Sequence, residues 1–180
     1  KKYKWAIAGR SISKLEAVKK ALVAINEEMK SLELVVGNSL DHKEMCAIAA
    51  QSRLVMSTVG PFARYGTPLV SACARYGTHY CDITGEVDWV RHVVHKLDKC
   101  ARSTGARIVS LCGQDSVPWD LAAYIAHDIL SKRGEGAKLE SIKIFDEFKG
   151  SASGGTISTL FTSFQHPLKK IKGRFDPMAT

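Results

Sequence analysis

Short apolar runs alternate along the chain with segments in which apolar residues recur every three or four positions. Five runs predict β-strands that start roughly 20 to 30 residues apart: Trp5–Ala8, Leu32–Val36, Leu54–Val59, His79–Thr84 and Ile108–Cys112. Because these runs are nearly continuous in apolar residues, they are typical of parallel strands covered by helices on both faces. The pattern therefore predicts an α/β protein with a doubly wound, mostly parallel sheet.

The segments between the strands predict amphipathic crossover helices. Apolar stripes at helical spacing are formed by Leu15, Val18, Leu22 and Ile25, and again by Val90, Val93, Val94 and Leu97. Two pairs, Ser13 with Glu16 and Asp41 with Glu44, have the spacing of a capping box, so we expect helices to start there.

Two further helices are predicted from their flanking residues. Thr67–Tyr76 is bounded by the breakers Gly66 and Gly77, with Leu69, Val70 and Cys73 expected on its buried side. Asp120–Leu130 follows Pro118, and Asp120 is the expected cap. The apolar face of this second helix consists of Leu121, Tyr124, Ile125 and Ile129.

The pattern changes after residue 132. Leu139–Phe148 alternates apolar and polar residues, as a half-exposed antiparallel strand does, and Ile157–Phe164 predicts a short helix. We therefore expect a first domain at residues 1–132 and the start of a mixed α/β second domain at residues 133–180.

Composition narrows the function classes. The chain has 26 Lys and Arg against 18 Asp and Glu, a net charge of +8 that favours anionic partners. Its basic stretches lack interleaved aromatic residues, so no nucleic-acid partner is expected. No apolar run reaches the roughly 20 residues of a membrane helix, and no signal peptide is visible.

The cysteines and histidines indicate neither disulfides nor a metal site. The five cysteines are odd in number and have no Cys-x-x-Cys pair, so reduced thiols in an intracellular, reducing compartment are expected. Apart from Cys81, which stands beside Asp82, they are predicted to be buried. The six histidines lack metal-ligand spacing, so no metal is expected.

Candidate chemistry lies where the parallel strands end, since ligands of open α/β sheets bind outside the carboxyl ends of the strands. Gly9, Arg10 and Ser11 follow the first run, and Lys14 comes one turn later. Two cations and a hydroxyl beside a helix N-terminus can hold a phosphate. The same residues also suit a surface turn in which a serine caps the helix.

Two later strand ends have similar alternatives. Asp41 could accept a hydrogen bond from an adenine amino group, or it could cap a helix. Val59, Gly60, Pro61 and Phe62 form a turn in which the glycine allows a cofactor to approach the backbone closely. A plain turn has the same composition.

Three carboxylates near strand ends are candidate catalytic groups: Asp82, Glu86 and Asp115. They could bind a polar substrate or a cofactor hydroxyl, or they could order a loop. The chain has no nucleophile elbow, Ser-His-Asp order or phosphate-binding P-loop, which argues against hydrolases and kinases.

Together these motifs resemble the saccharopine dehydrogenase-like oxidoreductases, in the branch that contains the trans-acting enoyl reductases. The resemblance runs from about Trp5 to Thr159. It is carried by Ala8-Gly-Arg-Ser11, Val59-Gly-Pro-Phe62, Gly77-Thr-His-Tyr80, Asp82-Ile-Thr-Gly-Glu86 and Asp115-Ser-Val-Pro118.

This resemblance implies a Rossmann-like domain that binds NADP, with NAD as the alternative cofactor. By position, Gly9, Arg10, Ser11 and Lys14 would lie at the 2′-phosphate, Asp41 at the adenine end, and Val59–Phe62 at the pyrophosphate or nicotinamide side. Asp82, Gly85 and Glu86 would lie near the catalytic crevice. The implied function is hydride transfer to a double bond of a small or lipid-like substrate. A catalytically inactive nucleotide-binding or interaction protein is the alternative.

The resemblance also implies an incomplete domain, because the glycine-rich loop and first strand of the family would precede Trp5. In the strand order 3-2-1-4-5-6 that first strand is central. We therefore expect Trp5–Ala8 and Leu54–Val59 to face a gap, and we expect residues upstream of Lys1, a partner chain or a rearranged sheet to fill it. A homo-oligomer is expected, and attachment to a membrane or lipid surface through residues outside this chain stays open.

Overall fold

The computed structural model describes residues 3–133, 139–147 and 149–151 and the single positions Gly154, Ile157 and Phe161. Its strands are β1 (Ala6–Gly9), β2 (Glu33–Val36), β3 (Leu54–Ser57), β4 (His79–Asp82) and β5 (Ile108–Val109). Its α-helices are α1 (Ile12–Ile25), α2 (His42–Ala50), α3 (Phe62–Tyr65), α4 (Thr67–Tyr76), α5 (Val87–Thr104) and α6 (Val117–Lys132). A 3₁₀ turn at Glu27–Ser31 follows α1.

All strand pairings among the described residues are parallel, and they form two separate sheets. In the first, β1 pairs with β2 in the register Ala6 to Glu33; in the second, the order is β3-β4-β5. Within the described part of the chain, no strand pairs with the second edge of β1 or of β3. The α/β class with parallel strands is thus confirmed, whereas the strands form two sheets and not one.

The core lies between β4 and the helices α2, α4 and α5. It is built mainly from Met45, Ala49, Phe62, Leu69, Val70, Ala72, Cys73, Tyr80, Trp89, Val90 and Val93, all buried. Two threonine hydroxyls tie these layers together: Thr78 donates to the carbonyl oxygen of Ala49 at 2.7 Å, and Thr104 to that of Ala74 at 2.6 Å. On the opposite face of β3, Leu54 and Met56 are exposed.

Helix α4 has the predicted bounds, and its predicted inner residues Leu69, Val70 and Cys73 are buried. It ends because Gly77 adopts the left-handed conformation, with φ of 71°. The pattern succeeds here because glycines stand at both ends of a helix whose apolar side chains face the core.

Two predicted helix starts are wrong. Helix α1 begins at Ile12 with Ser11 as its cap, so Ser13 and Glu16 lie inside the helix. Helix α6 begins at Val117, which puts Asp120 in the first turn and not at the cap. The predicted apolar face of α6 is exposed at Leu121, Tyr124, Ile125 and Ile129.

The predicted antiparallel strand at Leu139–Phe148 is also not found. Residues 139–147 form no strand, and Phe148 lies outside the described residues. Ile142 and Ile144 remain exposed, so the alternation there does not reflect burial against a sheet. In the predicted helix Ile157–Phe164, Ile157 and Phe161 are helical, and the other positions lie outside the described residues.

All five cysteines are free, but only Cys73 is buried, which corrects the expectation of buried thiols for Cys46, Cys100 and Cys112. Burial raises the pKa of the Cys73 thiol to about 12. Among the described residues, no helix is both long and apolar enough to cross a membrane, and no group of three or more His, Cys, Asp or Glu could hold a metal ion.

Two helix-ending glycines offer a matched test of this packing. Gly77 and Gly105 have similar φ values, 71° and 76°, but a Cβ on Gly77 would lie 2.9 Å from the carbonyl oxygen of Thr104, whereas one on Gly105 would meet nothing within 4 Å. We expect Gly105→Ala to lower the free energy of unfolding by about 1 kcal/mol and Gly77→Ala by at least about 2 kcal/mol. Denaturant unfolding of the two variants measures the difference; equal losses would contradict the packing of Gly77 against α5.

Candidate cofactor-binding site

The carboxyl ends of β1 and β2 are joined by a backbone hydrogen bond, from the amide of Gly37 to the carbonyl oxygen of Gly9 at 3.0 Å. The segments that follow, Arg10–Ser11 and Asn38–Asp41, therefore leave the sheet at the same edge. This is the edge at which open parallel sheets bind ligands.

At the end of β1, an exposed cation that makes no ion pair within the described residues lies beside a helix N-terminus. Arg10 is exposed and makes no hydrogen bond or ion pair within the described residues, and Lys14 lies one turn into α1. Ser11 caps α1 by accepting from the amide of Lys14 at 3.4 Å, and the first turn of the helix contains no acidic residue. The positive end of the helix dipole and the two cations therefore favour an anion at this point.

Asp41 is used by the protein as a helix cap. Its Oδ1 accepts from the amides of Lys43 at 2.8 Å and Glu44 at 3.1 Å. The Glu44 carboxylate accepts from the amide of Asn38 at 2.6 Å. In a capping box this second bond comes from the amide of the cap residue, here Asp41, so the predicted pair forms a variant of the motif. Asp41 lies at the predicted edge, with one carboxylate oxygen already engaged.

The turn after β3 has an exposed and a buried half. Val59 is 44% exposed, whereas Pro61 and Phe62 are buried and Gly60 is intermediate. The bond between Gly60 and Pro61 is cis. The turn thus anchors its second half in the core and presents its first half at the carboxyl edge of the sheet.

Asp82 is fully buried and its carboxylate is occupied by protein donors. Oδ1 accepts from the amides of Thr84 at 3.1 Å and Leu111 at 3.2 Å, and Oδ2 accepts from the Ser110 hydroxyl at 3.1 Å. Leu111 has a φ of 61°, a conformation that is costly for a side chain of this kind. Asp82 therefore stabilises the loop after β5 and has no exposed surface for substrate.

Glu86 is likewise engaged within the protein. Its two carboxylate oxygens accept from the amides of Phe62 at 2.6 Å and Ala63 at 2.8 Å, which are the first residues of α3. Of the three candidate carboxylates, only Asp115 makes no hydrogen bond among the described residues. Asp115 is exposed, and its Oδ1 and Oδ2 would lie 2.6 Å and 3.1 Å from a Cβ built on Gly113 and on Gly85.

Sequence patterns missed a buried polar group beneath this edge. Ser57, Tyr80 and Thr84 are each at most 3% exposed. The Tyr80 hydroxyl is buried beside Asp82 and Ser57 without a well-formed hydrogen bond, and burial, together with the Asp82 charge, raises the pKa of Tyr80 well above its usual range. Tyr80 and Asp82 alternate on β4, and Thr84 follows two positions later. This spacing was the available signal, but the run His79–Thr84 was interpreted as a nearly continuous apolar strand.

These residues fit an NADP molecule bound at the carboxyl edge. The exposed Arg10, which makes no ion pair among the described residues, and the capped N-terminus of α1 suit a phosphate, and Gly60 beside the exposed Val59 has no side chain to keep a ligand from the backbone. The fold is that of a Rossmann-like domain, and in such domains ligands bind at this edge.

Comparison with known proteins identifies the family. Residues 1–109 match the model of the saccharopine dehydrogenase NADP-binding domain, which covers more than half of the 180 residues. The chain belongs to the saccharopine dehydrogenase family. Because the matched model is that of an NADP-binding domain, the cofactor prediction is confirmed at the level of the family.

Relatives in mycobacteria have names that indicate the reductase branch. The chain is 40% identical over 155 residues to a Mycobacterium tuberculosis protein whose assigned name, trans-acting enoyl reductase, is provisional. It is 37% identical over 155 residues to the trans-acting enoyl reductase of Mycobacterium ulcerans. Each match covers 86% of this chain but 36% of the relative, so the chain spans about a third of the length of these proteins.

A solved structure agrees with the fold. Apo saccharopine dehydrogenase (L-Glu forming) from Saccharomyces cerevisiae superposes with a TM-score of 0.57 at 14% identity, covering 71% of this chain and 25% of the yeast protein. At this identity the similarity supports the Rossmann-like fold alone.

The role of Asp82 in stabilising the loop after β5 can be tested by measuring the free energy of unfolding. Asp82→Ala leaves the amides of Thr84 and Leu111 and the Ser110 hydroxyl without their acceptor, so we expect it to lower the free energy of unfolding by about 3 kcal/mol or more. Asp98→Ala is the matched control, because Asp98 pairs with Arg102 on the exposed face of α5, and it should cost less than about 1 kcal/mol. Denaturant unfolding measures both; similar losses would show that the Asp82 bonds contribute little.

Proposed function

We propose that this chain is the NADP-binding part of an oxidoreductase that transfers a hydride to a double bond of a small or lipid-like substrate. The observation that carries the proposal is Arg10, an exposed and uncommitted cation at the end of β1 beside the capped N-terminus of α1. The names of the mycobacterial relatives favour an enoyl group as the reacting double bond.

In this proposal each segment at the carboxyl edge has a distinct role. Arg10, Ser11 and Lys14 bind the 2′-phosphate, Gly9 allows the chain to turn beneath it, and Asp41 lies at the adenine end. The turn Val59–Phe62 approaches the pyrophosphate or nicotinamide side. NADPH supplies the hydride, while the protein orients the reactants and provides electrostatic stabilisation.

Asp115 is our candidate for the residue that handles a proton during the reduction. It is exposed at the carboxyl edge, and it is the one carboxylate of the three whose oxygens are not satisfied by donors in the described structure. Asp82 and Glu86 are excluded from this role because their oxygens accept hydrogen bonds from the protein.

The hydrogen bonds that occupy Asp82 and Glu86 also support a second candidate function, that of a catalytically inactive nucleotide-binding protein. Two of the three candidate carboxylates, Asp82 and Glu86, accept hydrogen bonds from the protein, so Asp115 is the one of the three without a hydrogen bond among the described residues. Homo-oligomerisation and contact with a lipid surface remain predictions under either function.

Arg10→Ala tests cofactor choice. Loss of a charged partner for the 2′-phosphate should weaken NADPH binding by about 10- to 100-fold and change NADH binding by less than about twofold. Isothermal titration of the intact protein with each dinucleotide measures both constants. Arg53→Ala is the control, because Arg53 is an exposed arginine at the opposite end of β3. Equal losses for NADPH and NADH, or no loss, would contradict the 2′-phosphate site.

Asp115→Asn separates the two candidate functions. If Asp115 handles the proton, NADPH oxidation with enoyl thioester substrates should slow by roughly a hundredfold while the Kd for NADPH is unchanged. Asp120→Asn, which alters an exposed carboxylate in the first turn of α6, should leave the rate unchanged. A wild-type protein that binds NADPH but oxidises none of the enoyl or imine substrates offered would favour the inactive nucleotide-binding protein.

A further inference from the structure

Glu86 bridges two loops that are distant in sequence. Its carboxylate accepts two hydrogen bonds from consecutive amides, Phe62 at 2.6 Å and Ala63 at 2.8 Å, across a separation of more than 20 residues. Bonds from amides to a carboxylate are short and about twice as strong as bonds between neutral groups. The turn after β3 is therefore fastened to the loop after β4 through one side chain.

The backbone of Glu86 is itself held on both sides. Its amide donates to the Thr84 hydroxyl at 3.0 Å, and its carbonyl oxygen accepts from the amides of Trp89 and Val90 at the start of α5. Thr84 in turn donates its amide to Asp82. The carboxylate of Glu86 thus projects from a rigid support and not from a mobile loop.

Packing reinforces the same connection. The Phe62 ring lies 5.5 Å from the Trp89 ring, and the Trp89 indole donates to the Thr67 hydroxyl at 3.0 Å. A Cβ on Gly66 would lie 2.7 Å from the Trp89 ring, so α3 and α4 approach α5 as closely as a glycine permits. These contacts bury the second half of the turn and leave Val59 and Gly60 to form its ligand-facing part.

We propose that Glu86 is a positioning residue that fixes the Val59–Phe62 turn for the pyrophosphate or nicotinamide half of the dinucleotide. This inference rests on the proposed function, which assigns that half of the cofactor to the turn. Glu86 acts through Phe62 and Ala63 and does not touch the cofactor. The adenosine half, held at Arg10 and Ser11 in the other sheet, is independent of it.

Glu86→Gln tests the proposal, because glutamine keeps the shape but removes the charge and presents an amide donor to one of the two amides. In the intact protein, the Kd for NADPH should rise roughly tenfold, whereas the Kd for adenosine 2′,5′-bisphosphate, which lacks the nicotinamide half, should change by less than about twofold. Hydrogen exchange at the amides of Phe62 and Ala63 should accelerate in the same variant.

Two further variants make the result decisive. Glu27→Gln is the matched control, since Glu27 pairs with Lys30 on the exposed 3₁₀ turn, and it should change neither Kd. Thr84→Val removes the acceptor for the Glu86 amide and should produce a smaller, equally selective loss of NADPH affinity. If Glu86→Gln does not fold, the two Kd values of Thr84→Val test the proposal in its place.

Each outcome has one meaning. A loss confined to NADPH, with faster exchange at Phe62 and Ala63, supports the proposal. Unchanged NADPH affinity, or equal losses for both ligands in a folded variant, overturns it and leaves the proposed NADP site intact. A wild-type protein that binds neither NADPH nor the bisphosphate overturns the proposed function, and the positioning role with it.

Discussion

A carboxylate with no exposed surface must find its hydrogen-bond donors inside the protein, because desolvation without them is costly. Asp82 finds three donors, on the loop after β4 and on the loop after β5. Through Thr84 the same network reaches Glu86, and through Glu86 it reaches the turn after β3. The carboxyl edge of the second sheet is therefore one connected framework of hydrogen bonds, and among the described residues Asp115 is the one of the three candidate carboxylates that lies outside it.

The first sheet is organised differently. At the ends of β1 and β2, the side chains of Ser11 and Asp41 cap the helices that follow, and Arg10 is left exposed. The candidate site therefore combines an edge with an available cation and an edge with a fixed backbone. Under the proposed function, that division corresponds to the two ends of a dinucleotide, whose adenosine phosphate needs charge and whose nicotinamide needs orientation.

Sequence patterns predicted the parts of this fold that local residues determine. The prediction of helix α4 was correct because glycines flank it. The order of the strands along the chain was predicted correctly because segments with apolar residues at helical spacing separate their apolar runs. The roles of Asp82 and Glu86 could not be predicted, because both donors to Glu86 and two of the three donors to Asp82 lie more than 20 residues away. The start of α6 and the supposed strand at Leu139–Phe148 were wrong because capping residues and alternation also occur without the structure they usually accompany.

Glu86 and Arg10 also differ in how they respond to ionic strength. The Glu86 carboxylate is partly buried and balanced by backbone amides, whereas Arg10 is an exposed charge on a chain with a net charge of +8. At 0.1 M salt, exposed charges are screened beyond about 10 Å, while short bonds to amides are affected much less. If the dinucleotide binds as proposed, its adenosine end would therefore depend on salt more strongly than its nicotinamide end, and rising salt would loosen the adenosine end first.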